Sequence, residues 1–155
     1  MLTQTTTFHQ ETLFPSLVDE VQPLLDAHYR EIATYQDIPL LVDWHRYRLC
    51  EESDTLRIYT IRDEFKRLMG YAAFFVTYHP HYSTSKWANQ DVLYLDPSLR
   101  RDGHAVSFLR WCERQLFVEG VQVVCHHMKV KAAHAGLFER LGYVAQDVIY
   151  TRRLD

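Results

Sequence analysis

The stretch VLYLDPSLRRDGHAVSFLRWCERQLF, Val92 to Phe117, changes character twice within 26 residues. Val92 to Leu95 are β-branched, aromatic or aliphatic and suit a strand, and Pro97 lacks the amide hydrogen that a ladder needs and favours a turn. From Ala105 the apolar residues Ala105, Phe108, Leu109, Cys112 and Leu116 recur at helical spacing, while Ser107, Arg110, Glu113 and Arg114 take the other faces. The pattern predicts a strand, a basic turn and a helix that starts near Gly103 or His104. The first amides of such a helix have no intrahelical acceptor and sit at the positive end of its dipole, so they suit an anion, phosphate above all. Arg100 and Arg101 add charge, Gly103 permits close backbone approach, and Asp96 is expected to cap its own turn.

Beyond the helix, Glu119-Gly120 leads to an apolar strand over Val121 to Met128; a strand, helix and strand so joined favour parallel pairing with a right-handed crossover. A short helix is predicted over Lys131 to Leu141, closed by Gly142, and then a last hairpin or strand over Tyr143 to Arg153 with Val148, Tyr150 and Arg152 on one face. Ahead of the quoted stretch, its strand begins near Trp87, after a loop over His79 to Ser85. Leu56 to Arg62 and Leu68 to Tyr78 form an antiparallel pair around the charged loop Asp63 to Arg67. Leu17, Val18, Val21, Leu24, Leu25, Tyr29 and Ile32 mark a helix that Ser16 can cap and that Pro23 is expected to kink or restart. A shorter helix is expected over Leu41 to Cys50, and Met1 to Thr12 offers an edge strand at best, around Phe8. No repeat or linker interrupts this order, which predicts one domain over residues 1–155.

Hydrophobic residues at 47% and charged residues at 24% are ordinary for a globular protein, and 14% aromatic residues imply a core or cleft rich in rings. A net charge of −3 argues against a surface that coats nucleic acid, leaving room for a local basic patch at Arg100 and Arg101. Three cysteines without metal-type spacing, and an N-terminus without signal-peptide character, predict a reducing cytoplasm; the longest apolar run, Tyr71 to Val76, is far below membrane-spanning length.

Leu95-Asp96-Pro97-Ser98-Leu99-Arg100-Arg101-Asp102-Gly103-His104-Ala105 resembles the V-x-P-x-x-[QR]-x-x-G-x-[GA] signature of the GNAT superfamily of acyl-CoA N-acyltransferases. Leu137-Phe138-Glu139-Arg140-Leu141-Gly142-Tyr143 resembles the late motif of that family, a helix ending in [YF]-x-x-x-G-[FY]. Within the superfamily the chain is most similar to small acetyltransferase-like proteins of bacteriophages and bacteria, which would act in a cytoplasm. The resemblance implies an α/β fold with a mixed central sheet of about six to seven strands, a splayed parallel pair, and about four flanking helices. It implies acetyl-CoA as cosubstrate, with the pyrophosphate in the turn and the pantetheine arm between the splayed strands Trp87 to Leu95 and Val121 to Met128. Leu95, Asp96, Arg100, Arg101, Asp102, Gly103, His104 and Ala105, with Phe138 of the late motif, would form the acyl-CoA site.

An amine near its reference pKa of about 10 is mostly protonated at neutral pH, so acyl transfer needs a group to take its proton. The family often places an acid four or six residues ahead of the position matched by Leu95; these are Asp91 and Asn89, and only Asp91 can act as a base. The alternative for Asp91 is a cap or salt bridge at a strand end. His79, His81, His126 and His127 are further candidates; adjacent strand residues point to opposite faces, so only one of His126 and His127 can serve. No cysteine pair or glutamate completes a zinc set around them, so no metal is expected. The family's usual acid for the departing thiolate is a tyrosine where this chain has Phe138, with Tyr143 or Tyr94 as substitutes, and its frequent asparagine is replaced by Lys131. Trp44, Tyr47, Tyr82 and Trp87 are candidate walls of an acceptor pocket. The reading is an N-acyltransferase joining acyl-CoA and an amine of a small molecule or protein, with no membrane partner, as a monomer or homodimer. Its rivals are a nucleobase-modifying enzyme of the same fold, which the net charge disfavours, and a binder or inhibitor without catalysis.

Overall fold

The computed structural model describes residues 5–130 and 135–155. The elements run β1 (Thr6–Glu11), α1 (Leu17–Ile32), α2 (Trp44–Glu52), β2 (Leu56–Asp63), β3 (Leu68–His79), β4 (Tyr82–Leu95), a 3-10 turn (Pro97–Leu99), α3 (His104–Val118), β5 (Val123–Cys125) and α4 (Ala135–Arg140). The strands form one sheet in the order β1-β2-β3-β4-β5, antiparallel except for the parallel β4–β5 pair. This is the expected α/β architecture with four α-helices, although five strands are present among the described residues where six to seven were expected.

Alternation along the strands gives the sheet two apolar faces. Tyr59, Ile61, Ala72, Phe74, Ala88 and Leu95 pack against Phe108, Cys112 and Leu116 of α3. Ile58, Tyr71, Ala73, Val92 and Tyr94 pack on the other face against Leu17 and Val21 of α1, with Trp44 and Tyr47 of α2 at the margin. α3 ends where Gly120 takes a positive φ of 85° while the Gly120 and Val121 amides donate back to Phe117 and Leu116, a closure that turns the chain directly into β5. α4 closes in the same way through Gly142, φ 88°, with the Gly142 and Tyr143 amides donating to Glu139 and Phe138.

Several boundaries differ from the sequence reading. The predicted loop His79 to Ser85 is mostly strand, because β3 and β4 continue pairing to His79–Tyr82 and leave only a tight reversal. α1 runs unbroken through Pro23, whose missing amide removes a single helical bond while Leu17 and Val21 stay buried and hold the axis. α2 starts at Trp44 rather than Leu41, where the Asp43 carboxylate accepts from the Arg46 amide. β5 is confined to Val123–Cys125. Tyr143 to Arg153 forms no strand, and Val148 and Tyr150 are exposed; β5, at three residues, offers an edge too short to template another ladder. That segment returns to the α1–α2 loop, with Thr151 Oγ1 3.2 Å from the Tyr35 hydroxyl and Arg153 paired to Asp37 at 2.5 Å. No helix among the described residues is long and apolar enough to cross a membrane.

Candidate active site

β4 and β5 are paired only over Trp87–Asn89 and Val123–Cys125. Beyond Asn89 the strands part, and among the described residues β4 runs on to Leu95 with a ladder on its β3 side alone. At the parting point β4 carries an extra residue. Ala73 of β3 faces Val92 and Phe74 faces Gln90, so Asp91 has no partner. A bulge of this kind sets two successive side chains on one face. Val92 accordingly packs with the α1/α2 cluster, and the Asp91 carboxylate accepts a hydrogen bond from the Tyr47 hydroxyl of α2.

Burial pushes the Asp91 carboxyl above the usual range, partly offset by the Tyr47 hydrogen bond and by the nearby His127. Tyr47 in turn holds its proton more firmly than a free phenol, through burial and through the Asp91 carboxylate beside it. Asp91 itself remains open to solvent on one side. The arrangement is a carboxylate with raised basicity, fixed by a phenol, at the mouth of a gap between two strands.

On the α3 face of the same gap, Gln90 replaces the ladder that has ended. Its Nε2 donates to the His127 carbonyl at 3.3 Å, and its Oε1 lies 2.5 Å from His126 Nδ1. His126 Nε2 is 3.2 Å from the Tyr143 hydroxyl, which donates to Glu113 Oε1 of α3 at 2.7 Å. The imidazole ring also lies 4.6 Å from the Phe138 ring and 5.6 Å from Phe74, centroid to centroid. Burial lowers its pKa to about 4, so His126 is neutral at physiological pH. Burial and the Glu113 carboxylate raise that of Tyr143, which makes this phenol a reluctant proton donor.

The turn after β4 is held from several sides. Asp96 Oδ1 accepts from the Ser98 amide at 2.9 Å and from its hydroxyl at 2.6 Å, the expected cap. Leu99 is fully buried. Arg100 folds back, donating from Nε to the Leu95 carbonyl at 2.9 Å and from Nη2 to Glu31 of α1 at 2.8 Å, with its guanidinium 5.4 Å from the Tyr94 ring centre. It therefore ties the turn to α1, while Arg101 stays exposed. Asp102 and Gly103 both take positive φ, 60° and 82°, and the first helical hydrogen bond runs from the Ser107 amide to the Gly103 carbonyl. Gly103, at the N-cap, has no side chain with which to cap α3, and the amides that open the helix have no intrahelical acceptor. His104, at the first helical position, lies 3.4 Å from Thr6 Oγ1 through Nδ1, and Ala105 is half-buried against the α3-face core. These uncapped amides, at a glycine whose added Cβ would meet nothing within 4 Å, fit a pyrophosphate.

The structure thus brings Asp91 and His127 to one side of the gap and Phe138, Tyr143 and His126 to the other. His81 stands elsewhere, in the β3–β4 reversal with the His79 ring 5.6 Å away, and Tyr82 and Trp87 pack on that same His79. Lys131 lies outside the described residues. Sequence reasoning missed Gln90 and Glu113 and gave Tyr47 no polar role; these contacts join residues 30 or more apart in the chain, and no local pattern carries them. The described residues contain no cluster of metal-ligating side chains.

Known proteins share this fold. Among solved structures, an aminoglycoside acetyltransferase from an uncultured soil metagenomic sample superposes with a TM-score of 0.74 at 14% identity, covering 97% of each chain. The ribosomal-protein-alanine N-acetyltransferase of Brucella melitensis biovar Abortus gives 0.72 at 14% identity, over 97% of this chain and all of that one. A predicted acetyltransferase with acetyl-CoA from Clostridium acetobutylicum gives 0.69 at 12% identity, over 97% of each chain. At such identities the likeness is one of fold. A sequence search of curated proteins finds no match. The family described as "Acetyltransferase (GNAT) family" does match, over residues 18–143, a span that takes in α1, the parting strands, the basic turn and α4. With most of its length inside that match, this chain belongs to the GNAT acetyltransferase family.

Proposed function

We propose that this protein is an N-acetyltransferase that moves an acetyl group from acetyl-CoA to an amine by direct attack. The observation that carries the reading is the bulge at Asp91, which sets a carboxylate of raised basicity where β4 and β5 part. Bound acetyl-CoA supplies an acyl group already activated as a thioester. The uncapped amides at the start of α3 hold its pyrophosphate, with Gly103 permitting close approach and exposed Arg101 adding charge. Leu95, Asp96 and the rest of the turn to Ala105 shape that site, with Arg100 bracing it from behind. Asp91 takes the proton of the acceptor ammonium, which frees the nitrogen lone pair; His127, beside it, tunes that carboxylate. The C–N bond then forms as the C–S bond breaks, and the nitrogen sheds its second proton to solvent water as the amide forms. Phe138 offers no proton, and Tyr143 is pinned by Glu113 and His126, so the sulfur leaves as thiolate, tolerable for a thiol with a reference pKa near 8.5. Placement of the two reactants supplies the remainder of the rate.

A second reading, a binder that kept the fold without catalysis, is favoured by Phe138 and Lys131, the two departures from the family's late motif. Mass spectrometry of ligand carried through purification tests the first: bound CoA or acetyl-CoA is expected. Incubation with acetyl-CoA and a panel of polyamines, aminoglycosides, peptides and DNA then identifies the acceptor class. Acetylated product from any amine supports the enzyme reading, a modified base favours the nucleobase rival, and CoA binding without product across the panel leaves the binder.

A further inference from the structure

Beneath Asp91, on the α1/α2 face of the sheet, lies a hollow of about 10 Å³ bordered by Tyr47 and Trp44 of α2, Tyr71 of β3 and the Asp91 side chain, with Val21 and Leu25 of α1 opposite. Tyr71 is 3% exposed, and its hydroxyl is the one buried side-chain polar atom among the described residues that finds no hydrogen-bond partner. Buried polar groups in native proteins are nearly always satisfied, and a hollow of about 10–15 Å³ is the least that admits one water-sized atom.

Proton accounting selects what that atom is. Tyr47 already spends its single hydroxyl proton on Asp91. The Tyr71 proton needs an acceptor, which excludes an ammonium nitrogen because it has no lone pair. The Asp91 carboxylate has only lone pairs and needs a donor. An oxygen that carries protons meets both demands. We propose that one water molecule occupies the hollow, accepting a hydrogen bond from Tyr71 and donating one to Asp91, and that through it Tyr71 is a positioning residue for the Asp91 carboxylate. The catalytic meaning of this rests on the reading of Asp91 as proton acceptor.

Among the described residues, few groups face Asp91. α2 presents Tyr47, with Cys50 and Arg46 close to that phenol; β3 presents Tyr71; the segment after β5 presents His127; and α1 presents only Val21 and Leu25. A hydrogen bond to a carboxylate favours its charged form, so the water opposes the effect of burial. Tyr71→Phe keeps the ring and removes the hydroxyl, leaving the water short of a partner.

The test is the Asp91 titration, followed by carbon NMR of the labelled carboxyl in parent and Tyr71→Phe protein. The variant is expected to raise the Asp91 midpoint by about half to one unit. The acidic limb of acetyl transfer, measured with whichever panel amine is a substrate, is expected to move up equally at unchanged KM for acetyl-CoA. The variant is also expected to melt slightly below the parent, since deleting a hydroxyl that truly had no partner would stabilise instead. A crystal structure at high resolution should show one ordered water between Tyr71 and Asp91. An unmoved Asp91 midpoint, a raised melting temperature or an empty hollow would each overturn the proposal, whether or not the protein is active. A shifted midpoint in a protein that acetylates nothing would leave the water site standing and sink the acetyltransferase reading.

Discussion

Asp91 has a stability cost attached to its position. Its folded pKa is raised, so the ionised carboxylate destabilises the native state at neutral pH, and that cost is relieved as the pH falls towards the folded pKa. Asp91→Asn keeps the shape and removes the charge. It is expected to melt at or above the parental temperature while kcat falls by about 10² to 10⁴, the usual effect of losing a general base, with acetyl-CoA affinity near parental. Raising the pH should recover part of the rate, because more of the amine arrives neutral. Parental activity across pH 6 to 9 would make Asp91 a structural residue. Gly103 is a different kind of residue. Nothing would touch its added Cβ, so the cost of Gly103→Val lies in a backbone held at φ 82°, on the order of 1–3 kcal/mol. The variant is expected to remain folded and to lose acetyl-CoA binding by titration calorimetry; retention of parental affinity would remove the α3 amides from the proposed site.

Among the elements, β3 and β4 lie close together where β4 runs into the turn. A Cβ on Gly70 would lie 2.5 Å from the Tyr94 carbonyl oxygen and 3.0 Å from Leu95 Cα, contacts with backbone that cannot swing aside. Gly70→Ala is therefore expected to cost about 1–3 kcal/mol in denaturant unfolding and to weaken acetyl-CoA binding by displacing the strand that feeds the turn. A variant as stable as the parent would mean the strands can part without penalty. The sequence made these elements legible where period and punctuation coincide: the α3 stripe from Ala105 to Leu116 and Gly142 behind α4 stand as expected. It could not show that Tyr143 to Arg153 would lack a strand, because Val148 and Tyr150 have strand propensity whether or not an edge is free to receive them. Nor could spacing reveal the bulge that turns Asp91 towards Tyr47, since one inserted residue leaves the composition of β4 unchanged.

Across the whole molecule, a ligand that binds only the native state raises its stability by mass action. Acetyl-CoA at about a hundred times its dissociation constant should add on the order of 2.7 kcal/mol, visible as a rise in melting temperature; no shift at millimolar concentration would sink the cosubstrate assignment. Acid should act through His126. Its folded pKa of about 4 lies below the unfolded reference of about 6.5, so the stability it contributes is complete above pH 6.5 and is lost as the pH falls towards 4. An imidazole midpoint near 4 by NMR is expected, and one near 6.5 would mean that the Gln90–His126–Tyr143 contacts do not persist in solution.

The β4–β5 pairing spans three residues on each strand, whereas β2, β3 and β4 share long ladders. Amide hydrogens of Val123 to Cys125 should therefore exchange with deuterated solvent well before those at the centre of β3, reporting an opening that leaves the antiparallel strands intact. A molecule lying along both strands would bridge that seam. Slowed exchange in β5 on adding acetyl-CoA, with little change in β2, would show the ligand serving as the rungs that the polypeptide leaves out.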